Sequence, residues 1–315
     1  MPPAGAVFPV PNPPSPGSNR GGSPGCFTAY LIFGLNIVVC KELTTSGVIS
    51  PLALFTLRSM GAGSLFWLIS FLRPKERVEV RDLPKIFGAS VLGFFLAQIS
   101  FLFAISHITP MDCSIVASLA PFYTMFIAAY TLKEPISVQK IGGVVLSLGG
   151  VIYLILNNTT PSGVVETTPL GVMLMVVNSL CFALYLGIFK PLIGKYSVIT
   201  FMKWIFLFST VMTLPFSAAE LLKVEFSSLP ASYIGQLAFL IVCATFITYF
   251  LIPVGQKLLR PTLVGMYSYV QPIVATVVSI YVGMDTLTLT KVIAAITVFA
   301  GVVIVSRSRQ KEARG

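Results

Sequence analysis

TPMDCSIVASLAPFYTMFIAAYTLKEPISVQKIGGVVLSLGG, residues 109–150, and PTLVGMYSYVQPIVATVVSIYVGMDTLTLTKVIAAITVFAG, residues 261–301, are two versions of one stretch, and reading them together decides the fold. A shift of 151 residues sets Pro110 on Pro261, Pro121 on Pro272, Tyr130 on Tyr281, Glu134 on Asp285, Lys140 on Lys291 and Gly150 on Gly301 without a gap. Helix breakers and charges kept in step in this way mark an internal repeat. Further upstream the shift becomes 149, where FGLNIVVCK (Phe33–Lys41) matches FALYLGIFK (Phe182–Lys190). Each stretch is a pair of apolar runs, and each run is close to the ~20 residues that a helix needs to cross a bilayer.

Working outward, apolar segments bounded by charges and turn residues fall at 25–41, 51–72, 84–106, 109–132 and 138–157, and again at 168–189, 197–219, 232–255, 259–282 and 287–306. The expected fold class is therefore all-α and membrane-integral, with roughly ten spans. The domain division is a first five-helix repeat over 25–157, a second over 168–306, and a basic tail over 307–315. Because five is odd, the second half enters the membrane from the opposite side, which makes an inverted repeat of the kind used for alternating access. A duplication kept only for packing is the alternative. Residues 1–24 hold eight prolines and four glycines with one charge, which predicts a disordered tail and not a signal peptide.

Composition agrees. Of 315 residues 55% are hydrophobic and 10% charged, with a mean hydropathy of +0.89, far from the ~25% charged of a soluble domain. The net charge of +10 reflects topology, not nucleic-acid binding. With the N-terminus inside, Arg20, Arg73, Lys75, Arg77, Arg81, Lys85, Lys133, Lys140, Lys190, Lys195, Lys257, Arg260 and the four basic residues of 307–315 lie on the inner side. Only Lys41, Lys223 and Lys291 fall outside, so the positive-inside rule places both termini in the cytoplasm, in a cytoplasmic (inner) membrane. Cys26, Cys40, Cys113, Cys181 and Cys243 lack metal-ligand spacing and read as small core residues.

TPMDCSIVASLAPF, the Lys-Glu that follows at the helix end, and QKIGGVVLSLGGV resemble the EamA-like repeat of the drug/metabolite transporter superfamily. RPTLVGMYSYVQPIVA (260–275), Asp285 and KVIAAITVFAGVVIV (291–305) resemble it more loosely, with Gly-Met-Asp in place of the usual Gly-Glu. The resemblance covers residues 26–306. It implies a ten-helix carrier that exports metabolites, amino acids or toxic small molecules.

Candidate site residues follow from polarity inside apolar runs. Arg58 and Lys203 sit roughly 10 Å deep at 1.5 Å per residue. Each reads as an anion contact or gate at a cavity, or as a long side chain snorkelling to the headgroups. Ser114, Ser118, Pro121 and Met125 share one helix face, matched by Gly265, Tyr269, Pro272 and Thr276. Pro121 and Pro272 would free a carbonyl and kink their helices near the midplane, with or without touching a solute. Asn36, Gln98, Asn178, Tyr185, Tyr249, Tyr269 and Gln271 complete an aromatic, sparsely polar cavity built by the first, third, fourth, sixth, eighth and ninth spans. Such amides can equally bond neighbouring helices. The composition suits a small amphipathic organic solute as the partner better than a hydrated ion. Gly143, Ser147 and Gly150, with Ala294 and Gly301, let the fifth and tenth spans pack closely at the periphery.

All eleven acids fall in predicted loops or first helical turns, which leaves no midplane carboxylate for ion coupling. Asp112, Glu134 and Asp285 read as caps of their own helices. No nucleotide-binding loop, paired-carboxylate site or metal cluster is legible, so neither cofactor nor enzyme chemistry is expected. A lipid scramblase or channel is the rival reading.

Overall fold

The computed structural model describes residues 19–120, 122, 123, 126, 127, 138–157, 167–258 and 267–312. Pro121, Glu134 and residues 1–18 of the expected tail lie outside this set. Its helices are α1 (Asn19–Thr45), α2 (Pro51–Phe71), α3 (Leu83–Ser90), α4 (Ala97–Ile105), α5 (Pro110–Ala117), α6 (Val138–Leu156) and α7 (Pro169–Ile188). They continue with α8 (Lys190–Lys195), α9 (Val198–Leu222), α10 (Ala231–Ala238), α11 (Thr248–Leu258), α12 (Val270–Tyr281) and α13 (Leu289–Glu312). The described residues contain no strand.

Among the described residues six helical stretches are long and apolar enough to cross a bilayer: Pro24–Thr45, Pro51–Phe71, Val80–Ile105, Pro169–Ile188, Val198–Leu222 and Ala231–Gly255. Ile141–Leu156, Val270–Tyr281 and Leu289–Ile304 are shorter apolar helices. Start signals are local. Ser50, Thr168 and Ser197 each accept a backbone N–H from the first turn of the helix they precede, and Pro51 and Pro169 fill first-turn positions whose N–H has no partner anyway.

Two of the described stretches run as π-helix. Between α3 and α4 the chain runs as a π-helix over Val91–Leu96, and between α10 and α11 as another over Phe239–Ile247. Shifted by 151, the first falls on residues 242–247, inside the second. The packing pairs follow the same shift. α2 lies on α9 and α6 on α13, while α1 packs on α11 and α12 as α7 packs on α4 and α5.

The small-residue face of α6 meets α13 as the sequence predicts. Ser147 donates to the Val298 carbonyl at 2.9 Å. A Cβ on Gly301 would sit 2.3 Å from the Gly143 carbonyl oxygen, so only glycine fits there.

Four expectations change. α1 begins at Asn19, inside the stretch expected to be disordered, and α13 runs through the expected basic tail to Glu312. Glu42 and Glu220 lie in the last turns of α1 and α9, because these helices outrun the apolar segments. The span starting at Pro110 stops being α-helical at Ala117, and α12 starts only at Val270 after a turn at 268–269. Tyr267 is helical and the turn at 268–269 interrupts the helix one turn before Pro272, where a proline leaves a carbonyl without its N–H.

Candidate functional site

α2 carries Arg58 into the centre of the molecule, where the residue is 1% exposed. It does not snorkel. Its Nε donates to Thr245 Oγ1 at 2.9 Å and its Nη1 to Cys40 Sγ at 3.4 Å, while its Nη2 is buried without a hydrogen-bond partner. The thiol in turn donates to Asn36 Oδ1 at 3.5 Å. Thr245 can face Arg58 because it lies in the second π-helix, whose wider turn lets its hydroxyl donate to the Leu240 carbonyl five residues back, at 2.7 Å. Every partner of the guanidinium is thus neutral. The desolvation of such a charge costs several kcal/mol in a real protein, and here no carboxylate offsets it.

One turn beyond Thr245, the Tyr249 hydroxyl accepts from Gln98 Nε2 at 2.7 Å and lies within the electrostatic reach of Arg58. Gln98 and Tyr249 are 151 residues apart, the spacing at which the sequence repeats. The Tyr249 ring packs edge-on against Phe94, Phe206 and Phe33 at centroid distances of 5.2, 5.7 and 6.4 Å. Tyr185 crosses the first π-helix at Gly93, where a Cβ would fall 2.4 Å from its ring. Gln98 Oε1 and Tyr185 OH are buried and unpaired. Beside them runs a narrow crevice, with room for about one water, lined by Phe33 of α1, Phe182, Tyr185 and Leu186 of α7, Met202 of α9, and Tyr249, Ile252 and Pro253 of α11.

Of the residues singled out from sequence, Asn36, Arg58, Gln98, Tyr185 and Tyr249 thus come together. Pro121, Met125 and Gly265 lie outside the described residues, and the other described ones do not join them. Ser114 and Ser118 are buried but donate to the Met111 and Ile115 carbonyls of their own helix, at 2.7 and 2.6 Å. Asn178 bonds a neighbouring helix, donating to the Ala97 carbonyl at 2.7 Å. Tyr269 packs edge-on against Phe299 of α13, and Gln271 is half-buried, its carbonyl close above Gly34 of α1. Among the described residues the centre is built by α1, α2, α4, α7, α9 and α11 with the two π-helices; the spans starting at Pro110 and leading into α12, also expected to line it, lie partly outside the described residues. Cys40 and Thr245 were missed as Arg58 partners. Thr245 carries a signal, since it lies four residues from Tyr249, but Cys40 reads as packing alone.

The two ends of the bundle hold their own polar groups. At one end Asp285 binds Lys291, accepts the Met111 N–H at 3.1 Å, and lies with Asp112, whose carboxylate takes the Thr167 hydroxyl at 2.6 Å. Asp285 therefore caps α5, while the first turn of α13, the helix it was expected to cap, is capped by Thr288, whose hydroxyl accepts the Lys291 N–H at 3.3 Å. Lys41 donates to the Ile105 and Ile108 carbonyls at 2.8 and 3.1 Å, at the C-terminus of α4.

At the opposite end Asp82 takes Lys195 at 2.7 Å and the Tyr196 hydroxyl at 2.8 Å, and its bond, with that of Glu79, holds the Lys195 ammonium above the ordinary lysine range. Burial raises the Glu76 carboxyl, but the Ser197 hydroxyl and N–H outweigh it and hold the group below its ordinary range. Lys203 reaches Ser70 at 2.8 Å over the Trp67 ring. Among the described residues no three His, Cys, Asp or Glu side chains could hold a metal.

Apolar helices around a buried, neutral-walled guanidinium define an integral membrane protein with a polar centre. The family comparison specifies the class. The model of the EamA-like transporter family matches residues 21–156 and again 169–307, and the chain belongs to that family of membrane transporters. An uncharacterized transporter of Archaeoglobus fulgidus is 27% identical over 201 residues, 64% of this chain and 68% of that one. The uncharacterized transporter YyaM of Bacillus subtilis is 19% identical over 216 residues, 69% and 70% of the two chains. A crystal structure aligned over 92% of this chain and 98% of its own has a TM-score of 0.63 at 16% identity, a likeness of fold alone.

Proposed function

We propose that the chain is a secondary carrier of small amphipathic organic solutes, built as two inverted five-helix halves that rock about the Arg58–Gln98–Tyr249 centre. The observation that carries this reading is the Gln98–Tyr249 bond, which joins positions one repeat apart at 2.7 Å between two π-helices that also match at that shift. π-segments trade backbone bonding for deformability and recur at functional sites. The double family match, over 21–156 and 169–307, supports the division into halves at 25–157 and 168–306. Both termini then face the cytoplasm, the membrane is the cytoplasmic one, and export is the direction that family resemblance supports. Pro272, Ser114, Ser118, Asn178, Tyr269 and Gln271 act in this reading through helix packing and rearrangement, not first contact with solute.

Sealed vesicles reconstituted with the protein test the reading. Saturable, protein-dependent flux of an organic solute is expected; flux linear in concentration points to a channel, and lipid flip without solute flux to a scramblase. Single cysteines placed at 160 and at 80 test the orientation, with external labelling expected at the first and internal at the second. The reverse pattern overturns the topology.

A further inference from the structure

We propose that Arg58 anchors a binding site for organic monocarboxylates with an apolar, preferably aromatic, body, and that Gln98 favours those carrying a hydroxyl beside the carboxylate. The inference rests on the carrier reading above and names its substrate class.

The argument begins with unsatisfied chemistry. Arg58 Nη2, Gln98 Oε1 and Tyr185 OH are buried side-chain atoms without partners, on residues exposed by 1%, 8% and 2%. Buried polar atoms in folded proteins are otherwise almost always paired. The three differ in what they lack. Nη2 can only donate and is positively charged, so it selects an anionic acceptor, and a planar carboxylate suits a guanidinium. Gln98, whose Nε2 is committed to Tyr249, offers an acceptor and selects a donor on the solute.

Tyr249 connects the three residues, since it takes the Gln98 bond, lies in the field of Arg58 and shares the walls of one crevice with Tyr185. The rest of that crevice is apolar: Phe33, Phe182, Leu186 and Met202 offer rings, a branched chain and a thioether but no charge. Arg58 lies behind Tyr249 and does not itself line the crevice, so a solute that reaches from one to the other must be charged at one end and apolar at the other. With room for about one water at present, the crevice must widen to admit it, which a rocking of halves would provide. No described acid competes for Arg58, because the carboxylates at both ends of the bundle are engaged by lysines, hydroxyls and backbone N–H groups.

Three probes test this on the purified full chain in nanodiscs: 3-phenylpropanoate, its neutral amide and 3-phenyllactate. Calorimetry should find the propanoate bound at least tenfold more tightly than the amide, and the hydroxy acid several-fold more tightly again. Arg58→Gln should erase the preference for carboxylate over amide, and Arg58→Lys should keep part of it. Equal affinity of the unaltered protein for acid and amide overturns the proposal, as does a preference that survives in Arg58→Gln, or no binding of any probe.

The acid–amide comparison needs no variant, so it decides the matter even if Arg58→Gln fails to fold. Met202→Trp, which fills the crevice without touching the charge, should weaken acid and amide together. Flux in sealed vesicles separates this inference from its premise. Carboxylate binding without flux sinks the carrier reading and leaves the site, whereas saturable flux of the amide but not the acid sinks the site and leaves the carrier.

Discussion

Two regions of this molecule bury charge, and they do so in opposite ways. Where α5 begins, Asp112, Asp285, Lys41 and Lys291 balance two carboxylates with two ammoniums, and backbone groups take up the remainder. In the centre, Arg58 is as deeply buried with only a hydroxyl and a thiol for company. In the first arrangement each sign of charge has its opposite close by. The second has no anion among the described residues, and under the proposal above a solute supplies it. The compensated cluster also joins the halves, because Asp285 of the second half caps the helix starting at Pro110 in the first.

The sharpest way to break this contrast is to remove one partner from each region. Lys291→Met leaves two buried acids facing each other and should cost about 3–5 kcal/mol of stability, read from unfolding in detergent. Adding Asp285→Asn should restore a large part of that loss. A double variant as unstable as the sum of the single ones would show that the pair is not a unit.

Arg58→Met is expected to behave in the opposite sense. Removing an uncompensated charge should leave the melting temperature unchanged or raised, within about 1 kcal/mol, while carboxylate binding is lost. A loss as large as that of Lys291→Met would make Arg58 a structural anchor and erase the distinction between the two regions.

A smaller effect is expected where the centre meets its π-helix. Gly93→Ala puts a methyl group 2.4 Å from the Tyr185 ring, which must shift, and overpacking of this kind costs about 1–3 kcal/mol. The functional readout is the widened crevice, seen as an altered solute affinity in calorimetry. Unchanged affinity would detach Tyr185 from the site.

The smallest effect belongs to the exposed cap at the other end. Because Ser197 holds the Glu76 carboxyl below its ordinary range, the cap stabilises fully above the ordinary glutamate pKa of about 4.3 and loses its contribution as pH falls through the lower folded value. Glu76→Gln should therefore lower the melting temperature slightly at pH 7, by less than about 1 kcal/mol, with the difference from the unaltered protein closing below about pH 4. A difference that persists in acid would assign the effect to packing instead.

The sequence by itself determined that the chain is helical and membrane-embedded, because hydropathy and helix-start signals such as Ser50-Pro51 and Thr168-Pro169 act within one turn or one span. It also displayed the repeat, since prolines, glycines and charges recur at one shift. It picked out Arg58, Gln98 and Tyr249 as polar residues in hydrocarbon. The sequence left open which of the polar residues would meet. Ser114, Ser118 and Asn178 look as suited to a cavity as Gln98 does, but their hydrogen bonds go to nearby carbonyls. Only the tertiary structure decided that Arg58 would face Thr245, 187 residues away, that Asp285 would cap a helix 174 residues back, and that both π-helices would open toward the centre. These choices depend on how helices distant in sequence cross and on which charge finds a counter-charge, and a local pattern of apolar and polar residues carries neither.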